Sequence, residues 1–382
     1  MAEPQTTEPV GEVADASALV PEQLGFMCGI EVHQQLATGK LHSRQPGLLY
    51  DITIDTVPSD WKRFERKLRP ARGEGGAIDI AARFESRRNR SFVYVQSPNA
   101  GLIELDDQPP LDHDEDAIQI ALTVSALLEA KPVSLLQTMR KTVVDGSNTS
   151  GFQRTSLVAT DGTLQTDGGP VGIDVLCLEE DSARKLDTLS TPNGEQVIYN
   201  LDRLGLPLIE IATAPDVTSP EHAQVTSMAL GRVLRQTRKV RRGLGSIRQD
   251  LNVSLACGDR VEIKGCQDLN WIPRIIRLEM SRQLHFYRLS NELRSMLNLA
   301  PLPPDRRSDE SEMESSIASA VSEHLPLNLV DVSTSFDSCE SKMVKGGLSK
   351  GHVMLGLPLA GLNGKIGIKE LDKEGAQLPR LG

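Results

Sequence analysis

Gly245-Ser246-Ile247-Arg248-Gln249-Asp250-Leu251-Asn252-Val253-Ser254-Leu255 alternates between apolar and polar side chains, and a period of two is that of a half-buried strand. Ile247, Leu251, Val253 and Leu255 fall on one face; Arg248, Asp250, Asn252 and Ser254 fall on the other. A second alternating run follows, with Val261 and Ile263 against Glu262 and Lys264. A three-residue loop over Ala256, Cys257 and Gly258 would set Asn252 opposite Glu262 and Asp250 opposite Lys264. Gly258 would then take the left-handed third position common in such loops. The expected product is an antiparallel hairpin with one apolar face and one face mixing amides, acids and bases. A solvated face explains such a mixture, and so does a site for a nucleotide or an acyl phosphate.

Further strands are expected over Phe26–Leu36, Leu136–Val144, Ile173–Leu178 and Leu206–Ala212. Helices are expected between them. Ser219-Pro220-Glu221 supplies an N-cap, a proline at the first helical position and an acid in the first turn. Ile272-Pro273 opens a second helix, and Glu115 to about Ala130 carries Ile118, Ala121, Val124 and Leu128 on one side. Residues 1–23, rich in Glu, Thr, Ala and Pro without periodicity, read as a mobile tail. Structure is expected from residue 24 to about 300, a linker over 301–324, and a smaller region over 325–382 with apolar runs such as His352–Leu357.

The 382 residues are 39% hydrophobic and 25% charged, an ordinary globular balance. No apolar run approaches the ~20 residues of a membrane span, and the N-terminus has no signal-peptide pattern. Five scattered cysteines suit reduced thiols, so a cytoplasmic, membrane-free protein is expected. The net charge of −10 opposes bulk attraction to nucleic acid, but Trp61–Arg69 and Arg235–Arg242 are basic runs able to meet phosphates.

In Gly29-Ile30-Glu31-Val32-His33-Gln34-Gln35, period two places Glu31, His33 and Gln35 on one face, where the acid and the imidazole bind a metal or each other. Leu176-Cys177-Leu178-Glu179-Glu180-Asp181 ends an apolar strand in three acids. Pro207-Leu208-Ile209-Glu210-Ile211-Ala212 holds one carboxylate inside an apolar run, and such a charge needs a partner. Arg203 is the simple partner; Mg2+ shared with Glu180 is the other. Thr138–Val144 leads into the polar loop Asp145–Gly151, of a kind that cradles phosphate or merely connects. There is no Gly-x-x-x-x-Gly-Lys-Ser/Thr loop and no Cys-x-x-Cys pair.

Taken in order, five segments resemble the GatB/GatE family: Ile30–Leu36, Asp145–Arg154, Leu178–Arg184, Asp202–Glu210 and Gly245–Asn252. Gln34-Gln35 and Ser147–Arg154 are similar to the archaeal E-type subunit rather than to the bacterial B-type subunit, which works with an amidase. The resemblance spans Gly25 to Leu299. It implies an α+β fold: a mostly antiparallel-sheet cradle domain with flanking helices, followed by an incomplete aspartyl-tRNA synthetase-like insertion that breaks off partway through at Arg380-Leu381-Gly382. It also implies ATP-dependent conversion of Glu-tRNA(Gln) to Gln-tRNA(Gln) through a γ-phosphoryl intermediate, with ammonia from an asparaginase-like D subunit in a heterodimer. By the same resemblance Mg2+ is held by His33, Glu180 and Glu210 with Glu31 beside them, while Arg140, Lys141, Arg203, Arg248, Asp250, Asn252 and Lys264 surround the ATP. Relatives often carry zinc-binding cysteines after the first strand; Leu41–Gly47 has none. A non-catalytic tRNA-binding module is the competing class, distinguished by lacking metal-dependent ATP hydrolysis.

Overall fold

The computed structural model describes residues 7–67, 76–78, 80–86, 88, 90–192, 194–296, 298–305 and 328–358. Two compact units emerge: Cys28–Asn252 with Glu262–Ile272, and Met1–Met27 with Val253–Val261 and Pro273–Gly382.

The first unit is built on β1 (Met27–Gln35), β2 (Arg63–Lys67), β3 (Arg90–Val95), β4 (Lys131–Pro132), β5 (Thr138–Thr142), β6 (Phe152–Thr166), β7 (Gly169–Glu180), β8 (Arg184–Thr191), β9 (Gly194–Asn200), β10 (Pro207–Thr213), β11 (Ile247–Ser254) and β12 (Val261–Ile263). Eight strands make one sheet in the order β12-β11-β1-β10-β7-β6-β4, with β5 also paired to β6. The pairs β1/β10, β10/β7, β7/β6 and β6/β5 are all antiparallel. A second sheet, β2-β3-β9-β8, has one parallel pair, β3/β9. Phe92, Tyr94, Val197, Tyr199 and Leu201 form its apolar core, against which Phe64 packs. The molecule is thus mixed α and β with mostly antiparallel sheets, as expected.

The strands expected over 26–36, 136–144, 173–178, 206–212 and 247–255 are all present, with small changes of boundary. So are α2 (Glu115–Leu127), α3 (Pro220–Gln236) and α4 (Ile272–Met296), which follow the short α1 (Ile80–Ser86). Ser219 caps α3 by accepting from His222 N at 3.1 Å, and Asp114 caps α2 by accepting from Ala117 N at 2.9 Å. The sequence patterns did not announce β6, the longest strand, nor the second sheet. Their residues mix glycine, threonine and charge and carry no clean alternation.

In the second unit, the mobile tail expected over 1–23 is corrected for residues 7–23. Ala16, Leu19 and Leu24 are buried; Tyr287 donates to Glu8 at 3.0 Å, and Ser281 to the Val13 carbonyl at 2.9 Å. Residues 1–6 lie outside the described residues. The hairpin loop is also corrected: β11 and β12 are joined by Leu255–Arg260, and Gly258 is not left-handed. Glycine is needed there because the Gln283 side chain fills the space of a β-carbon while accepting from Leu255 N at 3.0 Å. The linker begins against α4, with Leu302 N bonded to Asn291 Oδ1 at 2.7 Å; 306–324 lie outside the described residues. In the last region β13 (Val330–Asp331) pairs antiparallel with β14 (Leu355–Gly356), a shorter element than the His352–Leu357 run suggested. Residues 325–327 and 359–382 lie outside the described residues, so the insertion is described only in part.

Candidate active site

The register of β1, β10, β7 and β6 gathers the chemistry on one sheet face. His33 stands opposite Glu210, Leu208 opposite Glu179, and Glu179 opposite Thr155. Since successive residues alternate, Glu31 joins His33, and Glu179 joins Glu210. These side chains line a cavity of about 670 Å3 together with Lys141, Gln153, Ser182, Arg248, Asp250, Glu262 and Lys264. One ligand atom each from Glu31, His33 and Glu210 falls within 4.8 Å of the others.

Both imidazole nitrogens of His33 are engaged, Nε2 with Glu31 Oε1 at 2.9 Å and Nδ1 with Glu179 Oε1 at 2.8 Å. Burial disfavours the charged ring, yet these carboxylates outweigh it and raise the His33 pKa to about 9. Glu179, itself buried, is nonetheless held low by His33, and the hydrogen bond from His33 holds Glu31 low as well. Glu210 goes the other way. Burial and then the Glu179 charge push its pKa up to about 7, against the pull of Lys141 and His33. Lys141 Nζ is 4.0 Å from Glu179 Oε2 and half exposed, a weak counter-charge. Three carboxylates therefore share one imidazolium, and an oxygen-rich, over-negative cluster of this kind suits a hard divalent cation.

Glu180 is corrected. It stands opposite Pro207 and points to the other face, where Arg154 meets its Oε2 at 3.0 Å. Adjacent residues of a strand cannot serve one face, so Glu179 occupies the place expected of Glu180. Arg140 is corrected by the same rule: opposite Arg154, it lies with that residue over the Phe152 ring, 5.0 Å from its centroid, while Lys141 enters the cavity. Arg203 is absent from the cavity lining; its guanidinium donates to the Ser182 and Ala183 carbonyls and pairs with Asp181 at 3.5 Å. Asn252 is also outside the lining. Arg248, Asp250 and Lys264 are in it, and Lys264 lies 3.6 Å from Asp250 as an ion pair.

Asp181 was passed over in sequence. Buried, it accepts from Gln35 at 2.7 Å and Arg248 at 3.0 Å and pairs with Arg203, so it ties three segments together, one of them carrying Arg248 into the cavity. The loop Asp145–Gly151 folds into the protein: Gly146, at φ +84°, packs on Phe92, and Tyr94 donates to its carbonyl at 2.7 Å.

Lys40 is fully buried, donates to the Leu201 carbonyl at 3.0 Å and lies 3.6 Å from Glu104. Burial lowers its pKa to about 8, with Glu104 only partly opposing. Between pH 8 and the ordinary lysine value the unfolded chain binds more protons, so this residue adds stability as pH rises. Relative to Lys40→Met, wild-type stability should climb by roughly 2 kcal/mol from pH 8 to 10. Urea melts of both proteins measure it, and a pH-independent difference would contradict the burial argument.

An antiparallel sheet thus carries an imidazole, three acids and a rim of cations in one open cavity. The model of the GatB/GatE catalytic domain matches residues 26–323, and the chain belongs to the GatB/GatE family. It is 42% identical over 91% of its length to the E-type subunit of glutamyl-tRNA(Gln) amidotransferase from Pyrococcus furiosus, covering 50% of that protein. To the E-type subunit from Methanocaldococcus jannaschii it is 41% identical over 86% of this chain and 47% of the relative. For that of Methanosarcina acetivorans the identity is 47%, over 71% and 42%. The chain spans about half the length of these curated relatives.

Proposed function

We propose that this chain carries the phosphorylating and amidating centre of a glutamyl-tRNA(Gln) amidotransferase, using ATP and Mg2+ in the cytoplasm beside an ammonia-producing, asparaginase-like D subunit. The observation that carries it is the convergence of Glu31, His33, Glu179 and Glu210 with Lys141, Arg248 and Lys264 in one cavity. Family membership and the names of the relatives support the same function.

Glu31, Glu179 and Glu210 would hold the divalent ion, joined by His33 once its ring has given up a proton. When bound, Mg2+ offsets the charge of phosphate oxygens and of the carboxylate cluster. An amide cannot form directly from a carboxylate, because oxide is too poor a leaving group. A substrate carboxylate oxygen therefore attacks the γ-phosphorus of ATP as the bond to ADP breaks, giving an acyl phosphate. Ammonia then attacks the acyl carbon, phosphate departs, and the nitrogen sheds a proton to solvent. Positioning and charge neutralisation are the main demands on the protein. Asp181 aims the Arg248 guanidinium, and Asp250 with Glu262 fixes Lys264, 2.7 Å from Glu262 Oε1. Arg140, Arg203 and Asn252 have no part in this arrangement.

The test supplies Glu-tRNA(Gln), ATP, Mg2+ and ammonium chloride to the purified chain and separates glutamyl from glutaminyl products. Gln-tRNA(Gln) should form only with ATP present. Absence of both product and Glu-tRNA-dependent ADP would favour a binding module instead.

A further inference from the structure

Two uncharged polar side chains of the cavity, Gln153 and Ser182, have no part in the steps above. Gln153 stands opposite Lys141 across β5 and β6, so both face the cavity. It is two residues, roughly 7 Å of strand, from Thr155 on the same face. Thr155 in turn donates to Glu179 Oε2 at 3.1 Å. The Gln153 amide therefore shares a floor with the carboxylate cluster.

What sets the two groups apart is where their hydrogens go. Gln153 Nε2 donates to the Glu180 carbonyl at 2.6 Å. A carbonyl oxygen only accepts, so the orientation of the amide is settled and Oε1 is left over. The single hydrogen of the Ser182 hydroxyl goes to Asn148 Oδ1 at 2.8 Å, on a side chain only 3% exposed. Among the described residues, no donor reaches Gln153 Oε1 or Ser182 Oγ. Glu180 and Ser182 are two residues apart on one segment. Two neutral acceptors with committed hydrogens thus stand together at the end of β7.

Resting on the function proposed above, we infer that Gln153 Oε1 and Ser182 Oγ hold the attacking ammonia. Its N–H bonds supply both acceptors, and its lone pair stays free. The carboxylates of the cavity cannot do this, because they favour ammonium, whose nitrogen has no lone pair to give. A neutral amide or hydroxyl oxygen exerts far less of that pull. The lone pair then forms the N–C bond, the acyl C–O bond breaks with its electrons leaving on phosphate, and the added nitrogen loses one proton to solvent. Holding ammonia at the floor gives it the advantage over water, which would otherwise hydrolyse the acyl phosphate.

Ammonium titrations of the full chain, with saturating Glu-tRNA(Gln), ATP and Mg2+, would compare wild type with Gln153→Met and Ser182→Ala, following ADP and Gln-tRNA together. Each variant should raise the KM for ammonium about fivefold to tenfold, the size of one lost neutral hydrogen bond, with a smaller effect on kcat. At low ammonium, the ADP formed per Gln-tRNA should rise, because water takes the acyl phosphate. Ser182→Ala, the smaller change, gives the answer should Gln153→Met unfold with the Glu180 carbonyl left unpaired. An unchanged ammonium KM and coupling ratio would overturn the ammonia site. So would a parallel loss of ADP and Gln-tRNA at every ammonium concentration, or a companion titration in which the KM for ATP rises instead. Wild type that forms no Gln-tRNA at all would overturn the proposed reaction, and the ammonia site with it.

Discussion

Glu210→Gln should lower Glu-tRNA-dependent ADP formation by about 1,000-fold or more, the scale of losing several kcal/mol of charge stabilisation around a catalytic cation. Glutamine keeps the shape of the side chain and removes its charge. The fold should gain from the same change. Burial and Glu179 raise the Glu210 pKa to about 7, so in the metal-free native state this residue binds more protons than in the unfolded chain between the ordinary carboxylate value and that point. Glu210's own contribution to stability must therefore fall across this window, and a glutamine cannot share that loss. Inactivity combined with a higher melting temperature at pH 7.5 is the expected signature of strain held for function. Wild-type turnover, or inactivity caused by unfolding, would contradict it. Coupled ADP measurement and circular dichroism melts read both.

The neighbouring glutamates should separate cleanly. Glu180→Gln leaves the Arg154 guanidinium, only 12% exposed, without its counter-charge, 3.0 Å away at present. The cost should be about 3 kcal/mol, the lower end for an abandoned buried charge, read as an earlier midpoint in denaturant. Glu179→Gln faces the cavity and removes a charge that repels Glu210, so its loss should fall on ATP turnover rather than on the fold. Reversed phenotypes would restore Glu180 to the site.

Most of the strands and helices that build the sheet were legible because their signals are local. The alternation of Ile247–Leu255, the Ser219-Pro220-Glu221 cap and the apolar run around Glu210 each follow from one short stretch. The cost of placing Glu210 there was legible too, since a lone acid in an apolar strand is strained anywhere, and its raised pKa reports that cost. The choice between Glu179 and Glu180 was different in kind. It depends on which residue of β7 stands opposite Leu208, and register between distant strands is a tertiary property. The same gap put Arg140 in the site with Lys141, although adjacent strand residues face apart. Asp181 was hidden because its importance lies in partners from three separate segments. The order of residues 7–23 was hidden for a similar reason: no periodicity marks a segment whose contacts are irregular and whose partner is a helix near the other end of the sequence.

Counting bound Mn2+, as an electron-paramagnetic stand-in for Mg2+, addresses the site most directly. The measured quantity is the loss of the free-ion signal on titration into the metal-free chain, with and without ATP. Wild type and Glu180→Gln, at a temperature where both are folded, should bind one ion per chain, more tightly with ATP, whereas Glu179→Gln and Glu210→Gln should lose it. No stoichiometric ion in wild type, or loss in Glu180→Gln alone, would contradict a cation centre on the Glu31–His33–Glu179–Glu210 face.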